Sequence, residues 1–518
     1  MKEKISYLLS EAEKAKVWIE DSRDIRVVSH YDADGICSAT IMIKVLERLE
    51  KNFHLTIVKQ LSKKVLEELE KEKRKLYVFL DMGAGQIDVI KRMLSDAKVI
   101  ICDHHQSKGI KNEKITHINP SIIDVNDDIS GAGVTYFLAK TIDDKNIDLS
   151  LFAIIGAIGD SQIDAIGNDW GVKGLNREIL RDAENCGKIK VSKGLRLWGR
   201  YSRPIHKALA YSIDPFIPGV SGSESASIEF LKELGIEVKK GNEWRTIADL
   251  TLDEQKKLAT GIIKERIAAK HENPEYIFGD VYEIVDNEKD FRDAGEFATM
   301  LNACGKMGYA YLGVALCLNN KNVFEKVKAL IENYRKEIGK GVSWVYENIE
   351  NQNVVKRLNG VYILAGSNIS EHLISNVISV INHSGLFNDK PLFGFAYAED
   401  GIKISARAND TLIKNGIRLN EIMSEISEKL GGEGGGHMGA AAGIIPRGME
   451  EEFINMTELI LTNIIGENNG SERKDKGERG ARGEERGESD RGEARGERRK
   501  DSDKKVERKG LVQYLITT

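Results

Sequence analysis

The feature that most narrows the fold is a series of short β-branched runs that end in acids or histidine. Between residues 25 and 160, RVVSH, HLTIV, LYVFLD and KVIICD read as strands, while ICSATIMIKVLERLE and VLEELEKEKRK repeat their apolar residues at helical spacing. Strands alternating with helices predict an α/β fold with a doubly wound, mainly parallel sheet, because parallel neighbours need a long crossover between them. Ligands of such sheets bind beyond the carboxyl ends of the strands. Three of the runs stop there at His30, Asp81 and Asp103, so the functional site is expected along that edge.

The remaining pattern divides the chain. At 518 residues it exceeds one comfortable core, and 41% hydrophobic residues suffice to fill two or three units. Residues 1–204 form the expected α/β domain. Residues 205–345 read as a mostly helical connecting region, with a capping box at Thr251 and Glu254 opening one helix. Residues 346–466 read as a second, smaller α/β unit, with strands GVYILAG, PLFGFAY and IKISARA around helices near 372–386 and 419–430. Residues 467–518 are a polyampholyte of Arg, Glu, Lys, Asp, Gly and Ser, expected to be disordered because they cannot bury enough apolar surface. They end in LVQYLITT, which is either a partner-docking peptide on a tether or a frayed terminus.

Composition excludes several classes. The longest apolar stretches, such as LFAIIGAIGD, are too short to span a bilayer, and MKEKISYLLSEAEKAK reads as an amphipathic helix rather than a signal peptide. A cytoplasmic protein without membrane contact is expected. Five scattered cysteines with no CxxC pair argue against a disulfide framework or a thiolate zinc site. With a formal net charge of −5, nucleic-acid binding would have to come from a local basic surface, or from cations that turn an acidic cleft into a phosphate site.

The strand ends carry the chemistry. His30, Asp32 and Asp34 lie in the order H-x-D-x-D-G, with Gly35 permitting a sharp turn into the next helix. Three such groups on one turn would repel or stay unsatisfied without a cation. Asp81 ends a second strand before GAG, Asp103, His104 and His105 end a third, and a helix-like run delivers Asp160. Oxygen and imidazole ligands without thiolate suit manganese or magnesium, and two such ions can promote in-line displacement at phosphorus. SGAGVTYFLAK at 130–140 either presents helix amides to a phosphate or serves close helix packing. GLRLWGRYSR, with Arg196, Trp198, Arg200 and Arg203, is either a strand-holding stretch or an ordinary domain-boundary helix.

HYDADG, Asp81, the DHH triplet at 103–105, AIGD ending at 160 and GGGH at 434–437 together resemble the DHH phosphoesterases over roughly residues 20–465. FRDAGEFATMLNACGK and KLGGEGGGHMGAAAG are similar to the archaeal RecJ group, which includes the nuclease associated with the GINS replication complex. The resemblance implies a DHH catalytic domain and a DHH-associated substrate-binding domain. It implies two divalent cations, manganese preferred or magnesium, with His30 and Asp32 on the first, Asp34, His104 and Asp160 on the second, and Asp81 bridging. It further implies His105 facing the scissile phosphate, Asp103 supporting its neighbouring histidine, and Arg407 with a loop of Gly434, Gly435, Gly436 and His437 holding substrate. The nucleophile is then expected to be water acidified by the cations. The expected activity is a single-strand-specific exonuclease on DNA, or also RNA, in replication or repair. A nano-RNase or cyclic-dinucleotide phosphodiesterase, and a GINS-bound helicase subunit with a structural role, stand as alternatives.

Overall fold

The computed structural model describes residues 2–464 except 108, 111, 124–128, 167–168, 213–214, 270–273, 286 and 385. The expectations for residues 467–518, LVQYLITT included, lie outside the described residues. No helix among those described is long and apolar enough to cross a membrane.

The chain separates into two compact units, Met1–Tyr211 with Ser227–Tyr334, and Ser212–Ala226 with the residues from Arg335 onward. In the first, β1 (Asp24–His30), β2 (Asn52–Val58), β3 (Leu76–Leu80), β4 (Lys98–Cys102) and β5 (Ile115–Ile118) form a fully parallel sheet in the order β2-β1-β3-β4-β5. The order reverses between β1 and β3, where a doubly wound sheet opens its ligand crevice. β3 is buried along its whole length, and β1 and β4 at all but their end residues, which is why their sequences are nearly continuous apolar runs.

Helices cover the sheet, the outer ones through one apolar face and the inner ones by burial on most sides. On α1 (Lys2–Asp21), Leu8, Ala12, Ala15 and Ile19 recur at helical spacing and are fully buried. α2 (Ala33–Arg48) is buried over most of its length, packed on α5 (Gly131–Ile142) and α6 (Ser150–Gly159), with α3 (Lys63–Glu72) and α4 (Ile87–Met93) adjoining each other.

Further along, β6 (Ile163–Ile166) and β7 (Asp169–Val172) form a hairpin, as do β9 (Lys239–Lys240) and β10 (Glu243–Trp244). The middle of the chain is mostly helical, and its Leu252–Ala268 helix opens with the complete Thr251–Glu254 capping box. It is more than a connection. β11 (Phe278–Ile284) pairs antiparallel with β8 (Ile189–Leu195) through seven residues, Phe278↔Leu195 to Ile284↔Ile189, and both strands were hidden in the sequence because they mix polar with apolar residues. GLRLWGRYSR ends β8 with its first two residues and then runs into turns rather than a helix. Its Arg200 is buried, and the Arg203 guanidinium lies 5.3 Å from the centroid of the Tyr211 ring.

The second unit holds β12 (Val354–Lys356), β13 (Val361–Gly366), β14 (Leu392–Ala398), β15 (Gly401–Arg407), β16 (Glu433–His437) and β17 (Ala440–Ile445), ordered β12-β13-β14-β15-β17-β16, with only β13 and β14 parallel. Its helices Ile374–His383 and Leu419–Lys429 fall where periodicity places them. Tyr362 stacks on Phe393 at 5.2 Å, and Phe395 and Phe453 close the same core.

Candidate metal centre

The site is built from strand ends. β1 delivers His30, and the chain turns into α2 with Asp32 as N-cap, its carboxylate accepting from Gly35 N at 3.0 Å. Gly35 is required by close approach rather than by an unusual φ: a Cβ there would stand 2.2 Å from the His30 carbonyl oxygen. His30 Nδ1 lies 3.1 Å from Asp32 Oδ2 and 3.2 Å from Asp81 Oδ2. Burial opposes charge on this imidazole, but the two carboxylates raise its pKa well above the ordinary histidine value.

Asp34 is 1% exposed and accepts from Gly131 N at 2.6 Å and Ala132 N at 3.0 Å. The amides at the start of α5, for which the sequence left phosphate binding and helix packing open, therefore serve a carboxylate of the protein itself. Burial, with Asp81 and Asp160 nearby, holds the Asp34 pKa well above the carboxylate range. Asp81 is buried in a left-handed conformation at φ 56°, which non-glycine residues rarely adopt and which marks functional turns. Its Oδ1 is buried with no hydrogen-bond partner. The surrounding glycines are a cradle: a Cβ on Gly131 would meet Asp81 Oδ1 at 2.7 Å, and one on Gly156 would meet Asp34 Oδ1 at 2.5 Å.

From β4, His104 Nε2 points among the acids, 3.5 Å from Asp81 Oδ1, 3.7 Å from Asp160 Oδ2 and 3.9 Å from Asp34 Oδ2. Asp103 faces the other way and accepts from Ala84 N at 2.8 Å, His104 N at 2.8 Å and His105 Nδ1 at 2.7 Å. Burial works against charge on His105, but Asp103 raises its pKa to about 9.

Ligand atoms of His30, Asp32 and Asp81 lie within 4.8 Å of one another, as do those of Asp34, His104 and Asp160, and those of Asp81, His104 and His105. Asp81 and His104 each belong to two groups, so the cluster is continuous. Buried carboxylates at this spacing, one with an orphaned oxygen, fit divalent cations and are costly without them. The donor set, five carboxylates and imidazoles around a shared aspartate, could hold metal of the hard, oxygen-preferring kind.

In the second unit, the glycine run is not a loop. Gly434, Gly435, Gly436 and His437 lie in edge strand β16, pairing with β17. The register Arg407↔Ala440 and His437↔Ala440 sets Arg407 and His437 in one row across three strands. Arg407 donates from Nε to Ser379 Oγ at 2.9 Å and from Nη1 to the Ala406 carbonyl at 2.8 Å.

Family models match three stretches: the DHH family N-terminal domain at residues 24–157, a DHH-CID domain at 197–276 and a DHHA1 domain at 366–463. An uncharacterized protein of Methanocaldococcus jannaschii is 33% identical over 445 residues, 84% of this chain and 93% of that one. The chain belongs to the DHH superfamily. Among solved structures, this DHH protein is similar to RecJ from Thermus thermophilus in complex with Mn2+, with TM-score 0.55 and 17% identity over 88% of this chain; it spans just over half, 55%, of that RecJ. It is also similar to CDC45 from Entamoeba histolytica, with TM-score 0.59 and 12% identity, covering 88% of this chain and 99% of that one. These two likenesses establish a RecJ-like fold.

Several residues of this DHH site escape sequence reading. Gln162 Nε2 donates to Asp160 Oδ2 at 3.0 Å and lies 3.4 Å from His104 Nδ1, while its Oε1 accepts from Asn176 at 2.8 Å. Gly156 and Asn302 likewise touch the metal-facing turns. Nothing in their sequence spacing separates them from packing residues.

Proposed function

We propose that this protein is a divalent-cation-dependent phosphodiesterase that degrades single-stranded nucleic acid from an end, on DNA or also RNA, in replication or repair. The observation that carries the reading is the continuous acid and imidazole cluster around Asp81, whose buried Oδ1 lacks a hydrogen-bond partner. In this reading His30 and Asp32 hold one cation, Asp34, His104 and Asp160 a second, and Asp81 both; manganese is preferred over magnesium. Two bound cations would supply Lewis acidity to the phosphate and lower the pKa of the attacking water.

The side chains supply the rest. His105, held by Asp103 at 2.7 Å, keeps a proton at neutral pH and gives it to the leaving oxygen or stabilises charge there. Arg407 and His437 grip phosphate beside Gly435. A second reading, a structural subunit that docks on a replication complex such as GINS, draws on the likeness to CDC45; a preserved ligand set argues against that role alone.

The test is cleavage of end-labelled single-stranded DNA, RNA and dinucleotides with manganese, by wild type and Asp81→Ala. Progressive shortening of the long strands, absent in the variant, supports the exonuclease. Cleavage of dinucleotides alone would move the assignment to a nano-RNase, and no cleavage despite measured metal binding would sink the enzymatic reading.

A further inference from the structure

We propose that Asn302 is a positioning residue that clamps the two metal-carrying turns of α2 and α6 to each other. Its Oδ1 accepts from Ala33 N at 2.9 Å, and its Nδ2 donates to the Gly159 carbonyl at 3.2 Å. Ala33 lies between Asp32 and Asp34 at the start of α2, and Gly159 immediately precedes Asp160 at the end of α6.

Helix ends explain why an amide is needed. The first N–H groups and last C=O groups of a helix have no partner within it. Here an orphan donor and an orphan acceptor from two helices face one side chain. Asparagine offers an acceptor and a donor on one short stem; aspartate lacks the donor and leucine lacks both. The two turns also touch directly, since a Cβ on Gly159 would stand 2.5 Å from Ala33 Cβ.

The helix that carries Asn302, Ala294–Lys306, presents a whole face to this junction. A Cβ on Gly159 would lie 3.6 Å from Ala298 Cβ, and one on Gly305 would meet the Tyr31 carbonyl oxygen at 1.9 Å. Ala298, Asn302 and Gly305 are spaced four and three apart, one side of a helix. Tyr31 sits between His30 and Asp32. The FRDAGEFATMLNACGK segment therefore braces the metal turns from outside, although it lies more than 130 residues beyond the last proposed ligand. No side chain of it is a proposed ligand; it acts through the spacing of Asp32, Asp34 and Asp160.

This inference rests on the two-cation reading, and the experiment separates the two. Full-length protein is titrated with Mn2+ alone and followed by electron paramagnetic resonance, which distinguishes an exchange-coupled pair from isolated ions, and by calorimetry for affinity. The variants are Asn302→Leu, which keeps the branched shape but removes both polar groups, Asn302→Ala as a second test should the first not fold, and Met300→Ala, which opens a cavity on the same helix. Wild type is expected to show the coupled pair. The Asn302 variants should lose it, with affinity reduced about 10- to 100-fold, while Met300→Ala lowers the unfolding midpoint yet keeps the paired spectrum. A coupled pair unchanged in the Asn302 variants overturns the clamp, as does its equal loss in Met300→Ala. A wild type that binds manganese singly overturns the two-cation reading and the clamp with it.

Discussion

The carboxyl edge of the parallel sheet and the glycine strand β16 both carry residues proposed to meet substrate, yet they differ in how complete they are on their own. Around Asp81, acids are packed until they repel one another, Asp34 is pushed towards its neutral form, and a buried oxygen goes without a partner. Around Arg407, two hydroxyls and a carbonyl accept its hydrogen bonds, and β16 is fully laddered to β17. The first region is frustrated and fits a cation; in the second the strand pairing and the hydrogen bonds of Arg407 are already made, although burial holds the Arg407 pKa below its usual value. A site of the first kind announces its ligand, whereas one of the second kind does not.

The sharpest way to break this contrast is Asp81→Asn. Asparagine tolerates the left-handed backbone of position 81 and removes one of the charges acting on Asp34. Cleavage should fall at least about 1000-fold while the metal-free unfolding midpoint rises by a few degrees, roughly the effect of 1–2 kcal/mol. Scanning fluorimetry with and without manganese checks both halves. A midpoint that drops in the variant would mean that the acids are not frustrated.

Next in size is Gly156→Ala. The added Cβ would lie 2.5 Å from Asp34 Oδ1 and 2.6 Å from Ala132 Cβ, so the carboxylate must move. Manganese affinity measured by calorimetry should weaken about 10- to 100-fold, although alanine is the better helix former. Undiminished affinity would show that Asp34 can bind metal from a displaced position.

The same contrast explains what could be read from sequence. The α/β class and the strands β1, β3 and β4 were legible because buried parallel strands are continuous apolar runs, the half-exposed edge strand β2 was read from its β-branched run, and H-x-D-x-D-G and the DHH triplet stood out because such groups repel or stay unsatisfied together without a cation. β5, β8 and β11 were not, since ITHI, IKVSKGL and FGDVYEI mix polar and apolar residues as edge and two-stranded ladders allow. Gln162, Gly156 and Asn302 were hidden for another reason: their work is steric or through one hydrogen bond to a distant backbone, and no local pattern encodes a partner 269 residues away, as Ala33 is from Asn302. The glycine run read as a loop because glycine weakens strands; its ladder to β17 overrides that preference.

A smaller effect comes from pH. Metal binding must displace the proton that Asp32 and Asp81 favour on His30 and the one that burial favours on Asp34. Both folded pKa values are raised, so the metal-free site holds more protons than unperturbed groups would, and affinity should climb as pH rises, up to about tenfold per unit for each proton displaced. Calorimetry in buffers of different ionisation enthalpy counts the protons released; a pH-independent affinity would contradict the frustrated cluster.

The smallest effects test the second region. A Cβ on Gly434 would lie 2.3 Å from the Met423 carbonyl oxygen and 2.8 Å from Ser427 Oγ, whereas one on Gly435 would meet nothing within 4 Å. Gly434→Ala should therefore cost about 1–3 kcal/mol through overpacking, and Gly435→Ala should stay within about 0.5 kcal/mol. If phosphate approaches the bare backbone of Gly435, the added methyl group raises KM several-fold with kcat unchanged, because it removes ground-state and transition-state contacts alike. An unaltered KM would leave β16 as helix-packing strand only, and the glycines as consequences of that packing.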